Sequence, residues 1–177
     1  MKINSGTEWE SKLSRYIYVE VTKQTEDYLC LAKRKVCLMF YLIRHGKTDY
    51  TERNTKIYQG FGVNLAPLSI VGIHEIKNTA KDVRLCGADI ILSSPYTRAL
   101  QTAAILSKEL QVDIIVETGL HEWMANKNYI YESDEQAKFN YKEFTDCSGV
   151  YPDETKKDWE DLTILKDRMI TILSKYK

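Results

Sequence analysis

The chain lacks an excess of charge of either sign: Lys and Arg together number 25, and Asp and Glu together number 25. Balance of this kind excludes an overall field that would gather nucleic acid or hold the protein on an anionic membrane, so any anion site has to be local. A long apolar run is also missing. Nothing approaches the roughly 20 apolar residues of a membrane helix, and the polar start MKINSGTEWE has no apolar centre of a secretory signal, so a cytoplasmic protein is expected. Cys30, Cys37, Cys86 and Cys147 are scattered with no two placed two residues apart, which removes a zinc knuckle and a redox pair and leaves buried free thiols. Internal repeats and low-complexity tracts are absent, and 177 residues suffice for one domain with a single sizeable core.

What is present is an apolar pattern that switches between short runs and helical spacing, as strands alternating with helices require. VCLMFYLI, Val36 to Ile43, predicts a central strand covered on both faces. Ser69 predicts the cap of a short helix bearing Ile73, Ile76, Ala80 and Val83. ADIILSS, Ala88 to Ser94, reads as a second strand, after which a Ser94 cap and Pro95 open a helix with Ala99, Leu100, Ala103, Leu106 and Leu110 on one face. VDIIVE, Val112 to Glu117, reads as a third strand. Met124 to Tyr151 is a polar and aromatic stretch without a motif, and Trp159, Leu162, Leu165, Met169, Ile172 and Tyr176 mark a last amphipathic helix entered through Pro152 and Asp153. The expected fold class is α/β, a three-layer α/β/α sandwich around a mostly parallel sheet.

Ligands of open α/β sheets gather beyond the carboxyl ends of the strands, where loops meet helix starts. Two predicted strands end on suitable chemistry: one on Arg44, His45 and Gly46, the other on Ser93 and Ser94 with Arg98 one helical turn on. Guanidinium forks match phosphate oxygens, so Arg44 and Arg98 are candidates to hold one phosphoryl group, with Gly46 admitting the backbone close to it. The third strand leads to Leu120, His121 and Glu122, which brings a carboxylate to the same rim. His74 and His121 have no metal-ligand spacing to each other or to His45 and are read as structural.

RHG at Arg44 to Gly46 with Thr48 after it, QG at Gln59 and Gly60, PLS at Pro67 to Ser69 with Gly72 beyond, and SSPYTRALQTA at Ser93 to Ala103 together resemble the histidine phosphatase superfamily, which includes phosphoglycerate mutases. The similarity runs from about residue 39 to 177 and implies a phosphoglycerate mutase-like fold. It also implies His45 as the nucleophile that carries the phosphoryl group, Arg44 and Arg98 as its clamps, and Glu122 as proton donor to the leaving oxygen. Gly46, Thr48, Thr51, Gln59 and Gly60 would complete the phosphate surroundings, with no metal and no cofactor.

Three departures shape the expectation. Thr51 stands where many relatives carry asparagine, residues 1–38 form an N-terminal extension matching nothing in the pattern, and no second His-Gly pair follows the last helix. The expected function is hydrolysis of a small phosphorylated metabolite through phosphohistidine, with turnover reduced by the missing second histidine. Phosphoglycerate mutase-type transfer is the less favoured chemistry, because the segment after Glu122 is compact. The alternative of another class is an impaired relative that binds phosphate or a partner. Partners are expected to be a small phosphorylated substrate or inorganic phosphate, not nucleic acid or membrane. YIYVEV, Tyr16 to Val21, favours strand and is expected either to pair at an exposed sheet edge or to form a separate hairpin or loose arm.

Overall fold

A computed structural model describes residues 16–21, 40–52, 64–128, 133–152 and 157–176. Gln59, Gly60, Cys30 and Cys37 lie outside them, as do residues 36–39 of the first predicted strand. Strands β1 (Tyr16–Val21), β2 (Phe40–Arg44), β3 (Ala88–Ser93) and β4 (Ile114–Val116) form one sheet in the order β2-β1-β3-β4. β1 is antiparallel to both β2 and β3, and β3 is parallel to β4. Hence β2, β3 and β4 all run the same way, and their carboxyl ends share one rim.

Helices α1 (Ile70–Thr79) and α2 (Thr97–Leu110) cover one face, where Ile43, Ile76, Ile91, Ala103 and Leu106 form the main core. On the other face α4 (Leu162–Ser174) sets Ile172 against Leu92 and Leu120. Burying each large aliphatic side chain in these clusters contributes roughly 1.5–3 kcal/mol, so the two faces together hold the three layers. Ser69 caps α1 as its sequence predicts, its Oγ accepting the Gly72 amide at 3.1 Å. No helix among the described residues is long and apolar enough to cross a membrane.

Several expectations need correction. The described part of the run VCLMFYLI does not give a strand covered on both faces: among the described residues β2 lies at the end of the strand order, and Leu42 is 54% exposed. Density of apolar residues alone does not separate a central strand from an outer one. YIYVEV takes neither predicted place but lies inside the sheet, Tyr16 opposite Arg44 and Tyr18 opposite both Leu42 and Leu92. The predicted Ser94 cap and Pro95 start shift too, because Tyr96 is the cap residue of α2 and the Ser94 hydroxyl accepts its amide at 3.4 Å. Met124 to Tyr151 contains a helix, α3 (Asp134–Asp146), capped by Ser133. Its inward stripe is Ala137, Asn140, Tyr141 and Phe144, and the polar Asn140 interrupts the apolar period. The last helix is capped by Asp161, whose carboxylate accepts the Thr163 amide at 2.7 Å, and Trp159 stands before it, fully buried.

Because every interior amide of β1 faces a ladder on one side or the other, proline there removes a bond regardless of side chain. Val19→Pro should lower the melting temperature by about 5–12 °C. An unchanged melt would show that β1 does not pair between β2 and β3.

Candidate active site

The site is built where β2 and β3 end. Beyond β2, the buried His45 points its Nδ1 at the Gly46 carbonyl, 2.6 Å away, with Thr48 Oγ1 3.4 Å from the same nitrogen. A carbonyl only accepts, so Nδ1 carries the proton and the ring's in-plane lone pair belongs to Nε2. Beyond β3, the chain turns through Ser94 into α2, and the first turn of that helix carries Arg98, 3% exposed. Its guanidinium lies 4.9 Å over the Tyr96 ring and donates through Nη2 to Glu122 Oε2 at 2.6 Å. Glu122 comes from the segment after β4, following a 3-10 turn at Thr118–Leu120. His45, Ser94, Tyr96, Arg98, Ala99, Leu120 and Glu122 line one cleft open to solvent. A buried imidazole with a defined tautomer, a guanidinium and a carboxylate converge there, a set suited to phosphoryl transfer.

The profile of the histidine phosphatase superfamily (branch 1) matches residues 40–177. The chain belongs to this family. Two curated relatives are Bacillus subtilis "Uncharacterized phosphatase PhoE", 27% identical over 76% of this chain and 62% of its own, and Proteus mirabilis "Probable phosphoglycerate mutase GpmB", 32% identical over 48% of this chain and 38% of its own. The chain therefore spans less than two thirds of either relative's length. Among solved structures, the native mycobacterial glucosyl-3-phosphoglycerate phosphatase shares the fold, with TM-score 0.51, 19% identity, and cover of 74% of this chain and 59% of that one. That enzyme has also been solved with inorganic phosphate and with VO3.

In this family member, the structure brings together His45, Arg98 and Glu122 from three sequence-distant segments. Arg44, at the last position of β2, is exposed and is not among the residues lining the cleft. Thr51 is exposed on a turn, its amide donating to Asp49 Oδ1 at 2.9 Å. Gly46 has a packing reason beside the expected one: a Cβ there would overlap the Gly72 carbonyl, and a Cβ on Gly72 would overlap the Lys47 carbonyl. The two glycines thus let the loop after β2 and the first turn of α1 touch backbone to backbone. Glu117 serves α4, accepting from Tyr176 Oη at 2.7 Å and from Lys175 Nζ at 3.1 Å. The Tyr176 hydrogen bond, opposed by burial and aided by Lys175, holds its carboxyl below the usual range.

Two further polar side chains of SSPYTRALQTA tie the site's loops together. Thr102 Oγ1 accepts the Gly46 amide at 3.3 Å and donates to the Arg98 carbonyl at 2.8 Å, while Gln101 Oε1 accepts the Leu68 amide at 2.6 Å. The signal was available: Thr102 is four residues after Arg98, so it shares a helix face with it. Gly72→Ala should destabilise the protein by roughly 1–3 kcal/mol, since backbone rather than a flexible side chain must yield. Chemical denaturation checks this, and a loss under about 0.5 kcal/mol would show the contact to be loose.

His121 Nδ1 lies 2.7 Å from the Glu122 carbonyl. Burial holds its pKa below the ordinary imidazole value and Arg168 pushes the same way, against the hydrogen bond to Glu122. The unfolded chain then binds more protons than the native one, so this contribution to stability is whole above about pH 6.5 and is lost as pH falls below it. Melting temperatures measured from about pH 8 to about pH 5 should decline below that point, and His121→Gln should flatten part of the decline. An equal slope in the variant would assign the effect to other groups.

Proposed function

We propose that this histidine phosphatase domain hydrolyses phosphomonoesters of small metabolites through a phosphohistidine on His45. The observation that carries the reading is the convergence of His45, Arg98 and Glu122 on one cleft, with the His45 proton fixed on Nδ1 by Gly46. Nε2 attacks phosphorus as the bond to the leaving oxygen breaks, and Glu122 donates a proton to that oxygen, releasing the alcohol. Water then attacks the phosphohistidine, giving its proton to the Glu122 carboxylate as the P–N bond breaks. Inorganic phosphate leaves and the neutral imidazole returns. Arg98 stabilises the equatorial oxygens throughout, and no step needs metal.

An ion pair with Arg98 favours the charged carboxylate of Glu122, whereas a donor must be protonated. Phosphate resolves the conflict by competing for Arg98 and leaving the carboxylate beside a dianion, which favours the protonated form. Hydrolysis is preferred over mutase transfer because α3 and the aromatic cluster of Trp123, Phe144 and Trp159 fill the compact segment after Glu122. The phosphatase names of PhoE and the mycobacterial enzyme support the same class. A second reading, anion binding without turnover, is favoured by the place of Arg44 outside the cleft lining.

A brief pulse with a labelled phosphomonoester decides between them. Wild type should acquire acid-labile, base-stable phosphate, His45→Asn should acquire none, and Glu122→Gln should lose about 10²–10⁴-fold in turnover of alkyl esters. Saturable phosphate binding with no label on wild type would establish the second reading instead.

A further inference from the structure

Behind the segment that carries Glu122 lies a buried pair that takes no part in the chemistry above. The Arg168 side chain on α4 is 15% exposed and that of Glu160 is 1% exposed. Arg168 Nε donates to Glu160 Oε1 at 2.7 Å and Nη2 to Oε2 at 2.9 Å, a bidentate fork. Nη1 donates to the carbonyls of Gly119 and His121, the latter at 2.9 Å, and Nη2 reaches the Glu122 carbonyl at 3.4 Å. All five guanidinium donors are thereby used within the fold. Glu160 holds the far side of the same segment: its Oε2 accepts the Met124 amide at 3.3 Å, its carbonyl accepts Trp123 Nε1 at 2.7 Å, and its amide donates to the Met124 carbonyl at 2.8 Å. A Cβ on Gly119 would overlap Ile172, so the turn also lies close on α4.

We infer that Arg168, braced by Glu160, is the positioning residue for Glu122, fixing the backbone on both sides of it so that its carboxylate reaches the cleft. The inference rests on the reading of Glu122 as proton donor. A merely structural ion pair is replaceable by apolar groups of similar volume, often at no loss. Apolar groups would leave three carbonyls and an amide of the Glu122 segment without their partners. Lysine keeps the charge but offers three donors from one point, so it cannot serve the carboxylate fork and the carbonyls together. Displacement of a donor by about 1 Å costs on the order of a hundredfold where a proton must be delivered.

The test compares the wild-type chain with Arg168→Lys on two substrates and by hydrogen exchange. With an alkyl phosphate such as β-glycerophosphate, whose leaving oxygen needs a proton, kcat/KM should fall at least about tenfold while KM changes less than about threefold. With 2,4-dinitrophenyl phosphate, whose phenolate leaves unaided, kcat/KM, which covers transfer to His45 and not the later attack of water, should fall less than about threefold. Amide exchange should quicken at Leu120, His121 and Met124 and stay unchanged in α2 and β3. Equal losses on both substrates, or unchanged exchange at those amides, would overturn the positioning role. If wild type hydrolyses neither substrate, the phosphatase reading fails by itself and the exchange measurement still decides the clamp. Should Arg168→Lys not fold, Glu160→Gln, which keeps the shape and weakens the fork, is held to the same outcomes.

Discussion

A guanidinium withdrawn from water has to be matched, and the constraint on which this domain turns is the buried Arg98 facing Glu122 at 2.6 Å. Desolvating both charges is expensive, and the attraction between them recovers only part of it. An arrangement of that kind is poorly explained as a source of stability. It fits the proposed function, in which the cation meets an anion with more oxygens than a carboxylate has, in a cleft that also presents His45.

The sheet makes the arrangement possible. Because β2 and β3 both run against β1, they are parallel to each other and deliver His45 and the α2 start to one rim. Thr102 then ties the two sides together, joining the Gly46 amide to the carbonyl of Arg98. From the opposite layer, α4 reaches the third contributor through Arg168 and Glu160. Three layers of the fold thus meet at three side chains, and the proposed chemistry depends on all three staying in register.

Much of this was legible in the sequence, for physical reasons. Capping chemistry at Ser69, the apolar face of α2 and the short runs of β3 and β4 are local signals, and local signals survive folding. His45, Arg98 and Glu122 were legible because each follows a strand in the pattern, and parallel strands bring such positions together. What could not be read depended on distant partners. Arg168 and Glu160 look like ordinary charges of a helix surface until the segment at Gly119–Met124 is laid over them. Arg44 was expected beside Arg98, yet the alternation of β2 sets neighbouring side chains on opposite faces, and Ile43 takes the α1/α2 core. α3 was hidden by Asn140, which points inward to the Ala125 carbonyl at 3.1 Å. The inward place of β1 was hidden for another reason, since a strand's sequence says what it can pair with only through its neighbours.

The central claim is that His45, Arg98 and Glu122 are one anion site in which substrate phosphate takes Arg98 from Glu122. A crystal structure of the vanadate complex measures it directly. The account predicts vanadium within about 2.0–2.3 Å of His45 Nε2, as in a metal–imidazole bond, with the Arg98 guanidinium turned onto the vanadate oxygens and Glu122 released toward the leaving-group side. Vanadate bound elsewhere, or bound at His45 with the Arg98–Glu122 pair unbroken, would contradict it.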